Sequence, residues 1–307
     1  MGGTRARFAV LRPSGLGPVD SFATRDHASA VDGFRHFLDR HADDRIEGVV
    51  AAAAGPVRDG RCTLTNAAWT LDGAELARDL GLRFVRIVND LEALAWAVPR
   101  LAASDVAAVG GGEPVNSAPV ALIAPGTGLG MACFLPGVGP QALASEGGHA
   151  TLPATTEDEA EVIGILRRRI GHVSAERVLS GPGLVRLHEA LGGRQAPWEA
   201  PPSPEEIVRA GVAEGSAAAR RTLDLFCAFL GSVAGNAALT FGARGGVLIG
   251  GGIVPRIVER VRASSFRERF EGKGRLRPYL AQVPTRIIVR PEPTFLGLEA
   301  LARSAFS

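Results

Sequence analysis

Short apolar runs recur along this 307-residue chain, each ending in glycine or in a polar pair, and they alternate with segments of helical periodicity. Residues 48–54 are small and apolar up to Gly55-Pro56. Residues 84–88 end in Asn89-Asp90. Residues 120–124 run into Pro125-Gly126-Thr127-Gly128-Leu129-Gly130, and 246–249 lead to Gly250-Gly251-Gly252. Runs this short, bounded by turn residues, predict buried strands; 7–11, 61–65 and 285–289 read as further strands. Residues 30–40 place Val31, Phe34, Phe37 and Leu38 on one helical face. The alternation predicts an α/β fold.

Local signals set the helix ends. Asp72 caps a helix through Leu80, with Gly81 as its stop. Thr156 caps 157–170, whose first turn is acidic, as the helix dipole favours. Ser203-Pro204-Glu205-Glu206 has the capping-box pattern. Residues 174–179 and 182–191 read as short helices, 15–18 as a turn, 192–204 as a Gly/Pro-rich surface loop and 296–305 as a final helix. Residues 225–241 are membrane-like in composition, but Ser232 and Asn236 and the short length predict a core helix.

Charge narrows the partners. Formal net charge is +2, from 34 basic and 32 acidic residues, so nothing pulls strongly toward nucleic acid or an anionic membrane. Lys273 is the one lysine. Cys62, Cys133 and Cys227 form no CxxC pair, which predicts buried free thiols and no cysteine-based metal knuckle. Residues 1–10 hold Arg5 and Arg7 without a long apolar stretch behind them, unlike a secretory leader.

Three glycine-rich turns, Gly2-Gly3-Thr4, Pro125 to Gly130 and Gly245 to Gly252, flank strands, where bare backbone N–H groups can approach a phosphate. No GxxxxGK[ST] occurs, and the GxGxG at 126–130 is not a full dinucleotide fingerprint. Polar residues gather at the ends of apolar segments: Asn66, Asn89, Asp90, Glu146, His149 and Glu176. Carboxylates and amides in such places suit the vicinal hydroxyls of a sugar. Taken singly, Asp90 also reads as a helix cap, His149 as a surface histidine and Glu176 as a partner of Arg177.

In order, these motifs resemble those of the bacterial glucokinase family of the hexokinase/actin-like ATPase superfamily. The resemblance covers nearly the whole chain: Gly2-Gly3-Thr4-Arg5-Ala6-Arg7, Leu64-Thr65-Asn66 with Trp69, Ile87-Val88-Asn89-Asp90, Pro125 to Gly130, Glu146-Gly147-Gly148-His149, GHVSAERVLSGPG at 171–183 and GGVLIGGGIVP at 245–255. It implies two RNase-H-like α/β domains around a central cleft, a small one of residues 1–99 plus 291–307 and a large one of 100–290. It implies ATP-dependent phosphorylation of glucose at its 6-hydroxyl, with Mg²⁺, by a cytoplasmic homodimer.

By that pattern Asp90 matches the general base. Asn66, Asn89, Glu146, His149 and Glu176 match sugar-binding positions. Gly2, Gly3 and Thr4 together with Gly126, Thr127 and Gly128 match the phosphate loops, and Gly250 and Gly251 the adenosine side. No cysteine cluster follows His149, so no protein-held metal is expected. The family's first phosphate loop reads Asp-x-Gly-Gly-Thr after a first strand, whereas Met1 directly precedes Gly2 here. That leaves three further expectations: a natural chain about ten residues longer at its start, a non-catalytic sugar-binding relative, or a kinase for another hexose or phosphoryl donor.

Overall fold

The computed structural model describes residues 1–2, 4–64, 69–192, 202–213 and 215–305. Gly3, Asn66 and most of the 192–204 loop lie outside these residues. The chain divides into two compact units, Met1–Arg100 with Glu292–Ser307, and Leu101–Pro291.

The first unit opens with β1 (Arg5–Phe8), a hairpin of β2 (Leu11–Arg12) and β3 (Gly15–Leu16), and β4 (Asp20–Ala23), which pairs antiparallel with β1. The turn expected at 15–18 is therefore displaced: Arg12 faces Gly15, so the chain reverses at Pro13-Ser14. Next come α1 (Ala30–Asp39), β5 (Gly48–Ala53), β6 (Arg61–Thr63) and β7 (Thr70–Asp72). They are followed by α2 (Gly73–Leu80), β8 (Phe84–Asn89) and α3 (Asp90–Ala97). Asp72 caps α2 through the Ala74 and Glu75 N–H groups, and Gly81 stops it at φ 65°.

The larger apolar cluster of this unit gathers around Phe8 and Trp69, and a smaller one joins Ala52, Val88, Ala93 and Leu301. Phe8 stacks on Phe22 and Phe37 and meets Phe34 edge-on, while Trp69 lies beneath Gly33. Met1 lies along the end of β5, its amino group donating to the Ala52 carbonyl and its own carbonyl accepting from the Ala54 N–H at 2.9 Å.

The second unit contains β9 (Val106–Gly110), β10 (Val120–Pro125), β11 (Leu129–Leu135), β12 (Gln141–Ser145), α4 (Glu157–Ile170), α5 (Gly181–Ala190), α6 (Pro204–Val212) and α7 (Ala217–Phe241). It ends with β13 (Gly246–Ile249), α8 (Val258–Ala263), α9 (Phe266–Glu271), α10 (Arg277–Ala281) and β14 (Thr285–Ile288). The sheet order is β12-β11-β10-β13-β14-β9, with β10, β13 and β14 parallel.

Both expected caps are present: Thr156 accepts from Glu159 N–H, and Ser203 and Glu206 close a reciprocal capping box. The α7 helix is long and apolar enough to cross a membrane by length and composition. Its most apolar window is 78% buried inside the fold, as in a core helix. All three cysteines are free and buried.

The final helix, α11 (Thr294–Ala305), returns to the first unit and packs on α3. Contact is so close that a Cβ on Gly297 would stand 1.7 Å from the Ala93 carbonyl oxygen. A backbone atom cannot step aside as a side chain can. Gly297→Ala is therefore expected to destabilise the fold by about 1–3 kcal/mol, the usual range for overpacking. A denaturant midpoint unchanged by that substitution would contradict the helix contact.

Candidate functional site

In the first unit β5 and β8 run parallel with Ala53 opposite Asn89, so both strands end on the same edge. Asn89 organises that edge. Its Oδ1 accepts the Leu91 and Glu92 N–H groups at 2.9 and 3.3 Å, and its Nδ2 donates to the Gly55 carbonyl at 3.0 Å. Asn89 is thus the cap of α3. Asp90 occupies the first helical position, where the positive end of the helix favours a carboxylate, and its Oδ1 accepts the Leu91 N–H at 3.0 Å.

Two neighbours feel the Asp90 charge. Burial lowers the pKa of the Met1 ammonium and Asp90 opposes that shift; burial raises the Cys62 thiol and Asp90 adds to it. Asp90 is thus within electrostatic range of Met1 and Cys62. Gly2 N–H donates to the Arg5 carbonyl, and the exposed Thr4 accepts from Thr24 N–H through its own carbonyl. Asn66 falls outside the described residues. Trp69, close after it, is buried and donates its ring N–H to the His27 carbonyl at 3.1 Å.

In the second unit Glu146, His149 and Glu176 come together. His149 Nε2 is 3.7 Å from Glu146 Oε2, and its Nδ1 is 3.9 Å from Glu176 Oε1. Both gaps exceed a hydrogen bond and leave these polar atoms geometrically open to hydroxyl groups. Glu176 anchors the group: its Oε2 accepts the Leu129 N–H at 3.0 Å, and its own N–H donates to the Gly148 carbonyl at 2.8 Å.

The helix expected at 174–179 does not form. Ala175 and Glu176 N–H groups bond across to Ala150 and Gly148, which leaves a turn in place of a helix. Gly148 is pressed so closely on β11 that a Cβ there would lie 2.0 Å from the Leu129 carbonyl oxygen.

The loop before Leu129 is the second glycine turn. Gly126 N–H donates to the Gly128 carbonyl and Gly181 N–H to the Gly126 carbonyl, both at 2.8 Å. Because β10 and β13 are parallel neighbours with Ile123 opposite Ile249, the Gly250-Gly251-Gly252 turn lies alongside. Gly250 N–H donates to Ile123 and Gly252 N–H to Pro125. Gly251 has φ 85° and would place a Cβ 2.1 Å from the Pro125 carbonyl oxygen, so packing alone requires glycine there. Around Gly126 and Gly252 nothing lies within 4 Å of an added Cβ, and Thr127 is exposed. Gly128, in the same turn as Gly126, lies against the Glu176 carboxylate: a Cβ there would be 2.5 Å from Oε2.

Gly55, Leu129, Gly148 and Gly181, present in the motifs but given no role of their own, hold the named residues through backbone atoms. The doubled glycines at 147–148 were the available signal. Among the described residues no three His, Cys, Asp or Glu side chains cluster as a metal site.

Comparison with known proteins gives consistent matches. A family profile described as Glucokinase matches residues 1–305. A curated glucokinase from Paramagnetospirillum magneticum is 43% identical over 98% of this chain and 95% of its own length. The crystal structure of a glucokinase from an Antarctic psychrotroph superposes with a TM-score of 0.86 at 32% identity, covering 99% of this chain and 97% of that one. A ROK family glucokinase from Streptomyces griseus, solved with glucose and AMPPNP, shares the fold at a TM-score of 0.70 and 21% identity, over 99% of this chain and 97% of that one. These are proteins of the actin-like ATPase fold, and the mixed α/β architecture here is of that class.

Removing the Glu176 carboxylate leaves the N–H of buried Leu129 without its acceptor, an expected loss of about 1–3 kcal/mol. In Glu176→Ala the Leu129 amide should exchange with deuterium faster than in the parent protein. Unchanged exchange at Leu129 would contradict the anchoring bond.

Proposed function

The chain belongs to the glucokinase family, and we propose that it transfers the γ-phosphoryl group of ATP to the 6-hydroxyl of glucose, giving glucose 6-phosphate and ADP. One observation carries the reading: Glu176 joins the Glu146–His149 cluster to Leu129, the first residue after the Gly126-Thr127-Gly128 turn. Sugar-type and phosphate-type groups therefore adjoin within one unit.

On this reading Asp90 is the general base, taking the proton of the 6-hydroxyl as that oxygen attacks the γ-phosphorus and the bond to ADP breaks. Asn89 holds α3 so that the Asp90 carboxylate keeps its direction. Asn66, Asn89, Glu146, His149 and Glu176 bind the sugar hydroxyls. The backbone at Gly2, Gly3, Thr4 and at 126–128 holds the phosphates, and Gly250 and Gly251 face the adenosine. Phosphoryl transfer asks the protein mainly for positioning and charge neutralisation, which these groups offer.

Magnesium keeps much of its water and needs few protein ligands. In this reading the ion is carried on the nucleotide's phosphates. Bound there it would neutralise phosphate charge, beside the exposed Thr127 of the loop proposed to hold those phosphates. Residence in the cytoplasm and assembly as a homodimer belong to the same reading, in which the first unit is the small domain and the second the large one.

A coupled assay with glucose, ATP and Mg²⁺ tests the activity. Asp90→Asn keeps the shape and one acceptor but cannot take the proton. It should lower kcat by about 10²–10⁴-fold with glucose binding little changed. Near-normal kcat would leave Asp90 with a purely structural role. Glu146→Ala should weaken glucose binding by about 1–3 kcal/mol and spare ATP; titration of both ligands checks this, and equal loss for both would point to a folding defect.

A further inference from the structure

The Gly126-Thr127-Gly128 turn is gripped at both ends by one short segment of its own unit. After the turn, the Leu129 N–H donates to Glu176 Oε2 at 3.0 Å. At its start, the Gly126 carbonyl accepts the Gly181 N–H at 2.8 Å. The two grips come from residues 176 and 181, and no helix spans the stretch between them.

Ser180 closes that stretch. Its hydroxyl donates to the Glu176 carbonyl at 2.7 Å and accepts the Gly183 N–H at 3.1 Å. The first bond ties the residue beside one grip to the residue that makes the other. The second makes Ser180 the cap of α5, which begins at Gly181. Ser180 is 2% exposed, so bulk water offers its hydroxyl no substitute partner. Packing tightens the same region. A Cβ on Gly183 would stand 2.4 Å from the Val178 carbonyl oxygen, and one on Gly128 would stand 2.5 Å from Glu176 Oε2.

These contacts form a closed ring. It runs from the Glu176 carboxylate to Leu129, back along the turn to Gly126, across to Gly181, and through the Ser180 hydroxyl to Glu176 again. Opening the ring at Ser180 lets the carboxylate shift relative to the turn.

We propose that Ser180 is a positioning residue for phosphoryl transfer: it sets the spacing between the carboxylate that binds the sugar and the turn that holds the phosphates. This role rests on the kinase reading above, and it gives Ser180 no contact with either substrate.

The test compares the parent chain with Ser180→Ala, Ser180→Gly, Ser180→Thr and Ser216→Ala. Ser216 caps α7 through the Ala219 N–H at 3.2 Å, so its variant loses a comparable cap that belongs to neither grip. Measurements are kcat, thermal midpoint and amide deuterium exchange. Misplacing reacting groups by about 1 Å can cost on the order of 10²-fold in rate. Ser180→Ala and Ser180→Gly should therefore each lower kcat by about 10-fold or more. The Leu129 and Gly181 amides should exchange faster in both. Ser180→Thr keeps the hydroxyl and should retain most of the parent kcat. Ser216→Ala should lower the thermal midpoint and leave kcat unchanged.

Glycine is tolerated at a helix cap nearly as well as serine, so Ser180→Gly decides the matter if Ser180→Ala fails to fold. Parent-like kcat in Ser180→Gly would overturn the proposal. So would an equal fall of kcat in Ser216→Ala, or a folded Ser180→Thr as slow as Ser180→Gly. Parent-like exchange at Leu129 and Gly181 in Ser180→Gly, with turnover present in the parent, would overturn it while leaving the kinase reading intact. If the parent chain itself shows no turnover with glucose and ATP, the kinase reading fails, and the positioning role falls with it.

Discussion

The parallel pairing of β10 with β13 is the constraint from which the second unit's site follows. With Ile123 opposite Ile249, the two strands finish together, and their glycine turns must share one edge. Gly251 can follow β13 only because it has no Cβ to strike the Pro125 carbonyl. The Gly126, Gly250 and Gly252 N–H groups donate within the fold, which fixes the two turns against each other, and Glu176 stands beside Gly128. From the same turn the chain enters β11 at Leu129, whose N–H fixes Glu176 and with it the approach of His149 and Glu146. The Leu129 N–H fixes the Glu176 carboxylate, whereas Glu146 reaches His149 from an exposed side chain.

The first unit solves a related problem with a helix. Asn89 spends both ends of its amide on structure, capping α3 and tethering Gly55, and Asp90 shares the Leu91 N–H with it. The cap leaves Asp90 at the first position of the helix, by its positive end. Behind it, α11 touches α3 through backbone at Gly297, so the orientation of Asp90 depends on a helix far along the chain.

Much of this was legible where the signal is local. The caps at Asp72, Thr156 and Ser203 sit beside the helices they start, and the apolar runs at 48–53, 120–125 and 246–249 are strands because nothing polar interrupts them. Signals failed where partners are distant. Residues 174–179 look helical until their N–H groups are seen bonding to residues 148 and 150. Leu129–Leu135 was hidden behind the glycine turn, and Gln141–Ser145 is an edge strand of mixed exposure with weak alternation. The helices at 258–263, 266–271 and 277–281 are too short to show a period. The candidate site residues came from the order of motifs. That Glu176 binds Leu129, 47 residues away, was beyond any local pattern.

The central proposal is that Asp90 serves as the base toward glucose and that the Glu146–His149–Glu176 cluster binds its hydroxyls. Hydrogen–deuterium exchange of the parent chain, with and without glucose, addresses it directly. The account predicts that glucose slows exchange at two separate places, the Leu91 and Glu92 amides at the start of α3 and the amides of residues 147–149. Slowing confined to one of the two units, or absent from both, would contradict it.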